Sequence, residues 1–313
     1  MATLFLRRLL SSAVLLIAVA SVAFFLTDIG GIDPGRGILG ANATQAQVTA
    51  MNHQLGVDRP VVSQFADWIG AAAHGNLGDS FGSKRSVVSE LQERLPVTLS
   101  LVLCSLLFTA LLSLALALFA VAGRRWADKV VQVVALIGQI LPAYLLALGL
   151  LAFLAVKFGL FPVFGYVHLG DSVSGWVRSI ALPVVALTLG GVAGCALQAR
   201  GSLMDVLSSD YIRTLRSRGL GSRSLLLRHG LRNAASAWLT SLSLSFVAVL
   251  GGSFMVEKVF AMPGLGTLAV EATTTADRPV IMGLVVITGA VVILVNLLTD
   301  MLQLWLIPKA RPA

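Results

Sequence analysis

The sequence of 313 residues is 57% hydrophobic and only 12% charged, about half the charged share of an ordinary globular domain. So little polar material cannot clothe a water-facing surface, which excludes a soluble globular protein and makes lipid the solvent. The net charge of +8 is then to be sought in loops on one side of a membrane, and no base-reading module accompanies it that would mark a nucleic-acid partner.

A hydrocarbon slab of about 30 Å takes about 20 apolar residues per helix, and a charge at its centre costs roughly 3 kcal/mol, so long charge-free windows mark spans. Six windows qualify: Leu9–Thr27, Pro96–Gly123, Val130–Val156, Ser179–Ala199, Asn233–Val256 and Pro279–Thr299. They predict an all-α integral membrane protein with transmembrane helices over 9–27, 97–122, 130–156, 180–199, 234–256 and 279–299, in one membrane domain covering 1–313. A further charge-free stretch, 37–57, is ruled out by Asn42, Thr44, Gln45, Gln47, Asn52, His53 and Gln54. Buried strands are too short to account for windows of this length.

Arg7 and Arg8 precede the first window, whose apolar run is longer than a signal-peptide core and does not end in a small-residue cleavage site at Ala23–Thr27, so an uncleaved first helix is expected. With both termini in the cytosol, the inner loops hold Arg7, Arg8, Arg124, Arg125, Lys129, Arg200, Arg213, Arg216, Arg218, Arg223, Arg228, Arg232, Lys309 and Arg311, the majority of the 23 Lys and Arg. Of the 15 acids only Asp128, Asp205, Asp210 and Asp300 fall on that side. The positive-inside rule therefore assigns both termini to the cytoplasm of a bacterial inner membrane.

Residues 28–95 form the first extracytoplasmic segment. Thr44 and Gln47 make a capping-box pattern that opens a helix towards Leu55. Pro60 begins another, in which Val61, Phe65, Trp68, Ile69 and Ala72 follow helical spacing, so that this helix packs on the outer ends of the spans or lies on the interface. Gly75, Gly78 and Gly82 mark turns, and Ser86–Arg94 reads as a third short helix stopped by Pro96.

The segment 200–232 is too basic to span. Met204–Ser217 reads as helix, Gly219 and Gly221 interrupt it, and Ser222 begins helix again, which gives a cytosolic helical hairpin. Val206, Tyr211, Leu215 and Leu220 supply an apolar stripe, while Arg213, Arg216 and Arg218 project elsewhere. Such a knob either docks in a groove of another protein or anchors on anionic headgroups.

Here the chain resembles a known family. Asp210-Tyr211-Ile212-Arg213-Thr214-Leu215-Arg216-Ser217-Arg218-Gly219-Leu220, continuing through Leu227-Arg228-His229-Gly230-Leu231-Arg232-Asn233-Ala234, is similar to the cytoplasmic signature loop of the dipeptide/oligopeptide/nickel permeases of ATP-binding-cassette importers. Phe5–Leu10, Leu55–Asp58 with Pro60, Gly75–Ser80, Glu93–Leu99, Val256–Phe260 and Pro263–Gly266 match in the same order, so the resemblance covers essentially the whole chain. It departs at Leu215, where the peptide branch has alanine, and at Gly30–Gly35, where relatives usually show Pro-Gly-Asp-Pro.

The resemblance implies a type I importer permease fold in which Asp210–Leu220 is a coupling helix seated in a cytosolic ATPase. It further implies a second homologous permease subunit, two ATP-binding-cassette ATPase subunits or domains and an extracytoplasmic solute-binding protein. The solute it implies is a di- or oligopeptide, with nickel or another small solute as the alternative, and the long first extracytoplasmic segment resembles that of the first of two paired permeases. No G-x-x-x-x-G-K-[ST] occurs, so ATP is expected to serve the partners and no cofactor to be held by this chain.

No Asp, Glu, Lys, Arg or His lies within the six windows, which speaks against the charged relay of a stand-alone secondary carrier. Gln139, Pro142, Gln198, Glu257 and Asn296 are candidates for the pathway or a gate. Interhelical hydrogen bonding is the commoner use of intramembrane Gln and Asn, a proline more often only kinks a helix, and Glu257 beside Lys258 reads first as an interfacial charge. Cys104 and Cys195 sit inside spans as small apolar residues. An enzymatic reading finds little: Gly78-Asp79-Ser80-Phe81-Gly82 fits G-x-S-x-G without the strand that pattern needs, and His53, His74, His168 and His229 have no metal-ligand spacing.

Overall fold

The computed structural model describes residues 2–30, 33–40, 42–122, 129, 131–133, 138 and 140–306. Among them the regular structure is helical, apart from a single antiparallel bridge between Asp79 and Ser86. Five helices are long and apolar enough to cross a membrane: Arg8–Ile29, Val87–Ala122, Val173–Ser208, Ser222–Val259 and Arg278–Gln303. The third sequence window is represented by a shorter apolar helix, Ala143–Lys157; Gln139 and most of 123–137 lie outside the described residues. The chain divides into two compact units.

The first unit comprises Met1–Val97 and Pro263–Leu294. It contains α1 (Ala2–Ile29), α2 (Pro34–Leu39), α3 (Gln45–Leu55), α4 (Val61–Ala73), the start of α5 (Val87–Ala122), α10 (Leu265–Thr274) and the first half of α11 (Arg278–Leu306). The capping box at α3 forms as the spacing predicts: Gln47 N donates to Thr44 Oγ1, and Thr44 N donates to Gln47 Oε1 at 2.9 Å. Gly56 closes α3 in the left-handed region at φ 67°. α4 packs rather than floats: Phe65 and Trp68 close on Phe24 and Ala20 of α1 and on Met282 of α11, and the Phe24 and Phe65 rings meet edge to face at 5.2 Å. Arg278 rivets the same place. Its guanidinium donates to Asp28 Oδ1 at 3.0 Å and Gln64 Oε1 at 2.9 Å and lies 5.2 Å over the Phe24 ring.

The turn region 78–86 is held to the start of α11. Buried Asp277 accepts from Ser80 Oγ at 2.6 Å and from Gly82 N at 3.0 Å, and it caps α11 through Val280 N at 3.4 Å. Arg85 pairs with Glu93 at 2.5 Å, and this carboxylate raises the guanidinium pKa above its ordinary value. One expectation fails here. The short helix predicted for Ser86–Arg94 does not stop at Pro96; it continues as α5 through Pro96 to Ala122. Proline breaks a helix by leaving the carbonyl four residues back without its donor. Gln92 and Pro96 both sit on the exposed side of α5, where that deficit is inexpensive.

The second unit comprises Thr98–Met262 and Val295–Ala313. It holds the rest of α5, α6 (Ala143–Lys157), α7 (Val173–Ser208), α8 (Asp210–Ser217) and α9 (Ser222–Val259). Its centre is α7 against α9, with Cys195, Leu239 and Leu242 buried beside Leu106 and Ala110 of α5. Polar side chains tie the helices as expected in lipid: Trp238 Nε1 donates to Ser113 Oγ at 3.0 Å, and Ser243 Oγ donates to Asn296 Oδ1. Pro142 does not kink a continuous rod; it stands as the N-cap from which α6 begins, with φ −59° and ψ 139°.

Candidate functional site

The helix predicted from Met204 onward is in fact the end of α7, which runs to Ser208 without a break. The interruption comes at Ser209, whose extended backbone at φ −68° and ψ 152° turns the chain before α8. This resets the helical register, so the apolar stripe counted across Val206, Tyr211, Leu215 and Leu220 does not form. Ile212, 0% exposed, is the residue that α8 buries, while Tyr211 is 42% exposed and Leu215 and Leu220 are half-buried.

The remaining residues of α8 and its turn, Asp210, Arg213, Thr214, Arg216, Ser217, Arg218 and Gly219, are exposed. Asp210 sits in the first turn and Arg216 in the last, each matching the sign of the helix dipole. Arg213 Nη1 reaches Asp210 Oδ1 at 3.1 Å, but with side chains 77% and 93% exposed the pair organises the surface more than it stabilises it. α8 ends as the sequence suggests. Gly219 adopts φ +85°, its N–H bonds Arg216 O at 3.0 Å, and Leu220 N reaches Leu215 O at 3.3 Å. A residue with a Cβ in this conformation costs roughly 1 kcal/mol.

From Gly221 the chain re-enters helix, and Leu225–Gly230 is π-helical before Leu231–Val259 continues as α-helix. Leu225 is 1% exposed. Gly230 is packed so closely that a Cβ there would lie 3.3 Å from Leu207 Cδ2 of α7. The base of the hairpin is a small apolar core of Ala117, Ala199, Leu203 and Ala234, covered by Val206, Leu226 and Trp238. Above it, Asn233 Nδ2 donates to Tyr211 Oη at 2.7 Å and to His229 O at 2.8 Å, which fixes α8 to α9. The result is a short amphipathic helix whose buried side is bolted to two spans and whose basic side is bare. It offers no nucleophile or acid–base pair; what it offers chemically is a rigid cationic surface.

The candidate pathway residues do not gather. Gln198 and Asn296 are exposed on the spans, Asn296 taken up by the interhelical bond from Ser243, and Pro142 is exposed at the start of α6. Glu257 overturns the interfacial reading. It is 0% exposed in the last turn of α9, and Thr98 Oγ1, also 0% exposed, donates to its carboxylate at 2.6 Å. Lys258 beside it faces outward. Sequence reasoning also missed Ile212 and the Tyr211–Asn233 bond, since neither carries a spacing signal across the break at Ser209.

Two family models together match nearly the entire chain: "binding-protein-dependent transport system inner membrane component" over residues 110–312, and the N-terminal component of the same transport systems over residues 1–102. A Brucella abortus protein named for a peptide transport system permease is 35% identical over 312 residues, covering 99% of each chain. The glutathione transport system permease protein GsiC of Salmonella choleraesuis is 36% identical over 309 residues, 98% of each chain. Among solved structures, the inward-facing MetNI methionine transporter aligns with a TM-score of 0.55 at 17% identity, covering 70% of this chain and 96% of that one, which shows the shared fold. The chain belongs to the binding-protein-dependent transport system inner membrane component family. It is a multi-pass inner-membrane permease subunit of an ATP-binding-cassette importer.

Proposed function

We propose that this chain forms half of the translocation pathway of an importer for di- or oligopeptides. It works beside a second, homologous permease, two cytosolic ATPase subunits or domains and an extracytoplasmic solute-binding protein. Both termini and the α8 hairpin face the cytosol, in keeping with the distribution of Lys and Arg. The chain itself hydrolyses nothing and binds no cofactor; ATP is used by the partners. The peptide assignment follows relatives that carry peptide and glutathione transport in their names.

The observation that carries the reading is the construction of α8. Ile212 and the Tyr211–Asn233 bond anchor one side of it to α7 and α9, while Arg213, Arg216 and Arg218 remain bare on the other. A short helix fixed in this way transmits a displacement of its docking partner to two spans, which a loose loop does not. Lipid anchoring would use the same arginines but needs no rigid base.

The test is purification from bacterial membranes in mild detergent, followed by solute uptake with ATP hydrolysis measured alongside. We expect the wild-type chain to bring down two ATPases and a second permease. Arg216→Glu with Arg218→Glu, or Gly219→Pro, should insert normally yet cut uptake per ATP by about tenfold, equivalent to about 1.4 kcal/mol of lost coupling. Normal uptake in these variants, or activity of the chain alone, would refute the assignment.

A further inference from the structure

We propose that Thr98, Glu257 and Tyr166 form a hydrogen-bonded gate at the end of the second unit remote from the α8 hairpin, which on the reading above is the outer mouth of the pathway. This inference rests on that reading. At that end Glu257, in the last turn of α9, and Thr98, on α5, are both 0% exposed and bonded to each other at 2.6 Å. Thr98 and Ser100 lie within one turn of α5, so a second tie forms at nearly the same height: Ser100 Oγ and Tyr166 Oη are 3.1 Å apart.

Tyr166 belongs to the segment 158–172 joining α6 to α7, and this segment is stitched across the helix ends. Trp176 Nε1 of α7 donates to Tyr166 Oη at 3.1 Å. Gly165 N donates to Phe260 O, just past α9, at 3.2 Å, and Val167 N donates to Ser179 Oγ of α7 at 3.4 Å. α5, α7 and α9 are thus joined at one level through a strap and a buried carboxylate.

Holding those ends together permanently would need no carboxylate. A buried charge is costly, and apolar packing of the same volume is usually at least as stable. A polar seal has one property that apolar packing lacks: its bonds can be exchanged for bonds to water or to a passing peptide when the helices part, so the open state is not penalised by unpaired groups. Glu257 then becomes the anionic wall of the opened mouth, of the sign that suits a peptide ammonium.

The decisive experiment uses the complete complex, this chain with its co-purified partners, reconstituted in liposomes loaded with labelled glycine, a probe smaller than any peptide, in the absence of ATP. Thr98→Val and Tyr166→Phe should each raise efflux by about tenfold, the order expected for loss of one buried bond to a charged or shared acceptor. Thr98→Ser, which keeps the hydroxyl, should restore low efflux. Efflux at the wild-type level in both Thr98→Val and Tyr166→Phe overturns the gate. If Thr98→Val does not assemble, Tyr166→Phe, which keeps the ring and its packing, decides alone. Wild-type ATP-driven uptake measured in parallel separates the two readings: if it is absent the permease reading fails, and if it is present without leaky variants only the gate fails.

Discussion

Asn233 Nδ2 donates to Tyr211 Oη at 2.7 Å, joining the start of α8 to the cytoplasmic part of α9 across a turn that contains no other side-chain bond of that reach among the described residues. One hydroxyl and one amide therefore hold the angle between the candidate coupling helix and a span. Replacing Tyr211 by Phe removes the acceptor but keeps the ring, at a cost of about 1 kcal/mol. Uptake per ATP hydrolysed should fall by about fivefold while the amount of co-purified ATPase stays near wild type. A ratio unchanged from wild type would show that the bond does not set the angle.

Ile212 is the apolar anchor of α8. Ile212→Ala should release roughly 2–4 kcal/mol of packing, more than an eight-residue helix can spare. Limited trypsin digestion of membrane vesicles should then cut at Arg213, Arg216 or Arg218 many times faster than in wild type, with Ile212→Val close to wild type. Equal cutting rates in all three proteins would contradict the burial assigned here.

At Gly219, φ +85° has open space around the α-carbon, so size is not the constraint. Gly219→Asn, which tolerates left-handed backbone, should retain most uptake, whereas Gly219→Val should lose coupling at a conformational cost of about 1–2 kcal/mol. The ranking Asn above Val in an uptake assay is the check; the reverse ranking would assign the glycine to contact with the partner rather than to the turn.

In the first unit, Arg278 serves Asp28, Gln64 and the Phe24 ring together. Arg278→Met should free the α4 region, and hydrogen exchange should rise for the amides of α4 with little change in α7. Because Asp28 is 37% exposed at its side chain, the loss is nearer 1–2 kcal/mol than the 3–5 expected of a fully buried pair. Ser80→Ala, by contrast, leaves Asp277 buried with one donor fewer, and should lower the thermal midpoint of the detergent-solubilised protein by a few degrees.

Much of this architecture could be read from residue order alone, and the reason is physical. Spans announce themselves because lipid tolerates so few charges, and the α3 cap and the Gly219 turn are local motifs that depend on four or five neighbouring residues. What escaped the sequence was decided at longer range. Pro96 reads as a stop until its exposed setting on α5 is known, and Ser209 ends α7 with no glycine or proline to signal it. Glu257 looks like a boundary charge because its donor, Thr98, lies far away in the chain. A lone acid directly after a long apolar run, with no basic residue one turn before it, was the available hint.

The unbroken rod from Ser222 to Val259 has 38 residues, roughly 55 Å of helix, against about 30 Å of hydrocarbon. Nearly half of its length therefore projects beyond the bilayer core. A pivot of about 10° inside the lipid would sweep a projecting tip sideways by several ångströms, and the same geometry run in reverse gives a small push on the tip mechanical advantage over the deeper, stiffer part of the rod. The π-helical turn Leu225–Gly230 sits in that overhang, where one surplus residue per turn lets the tip be aimed without rotating the faces that meet other helices below.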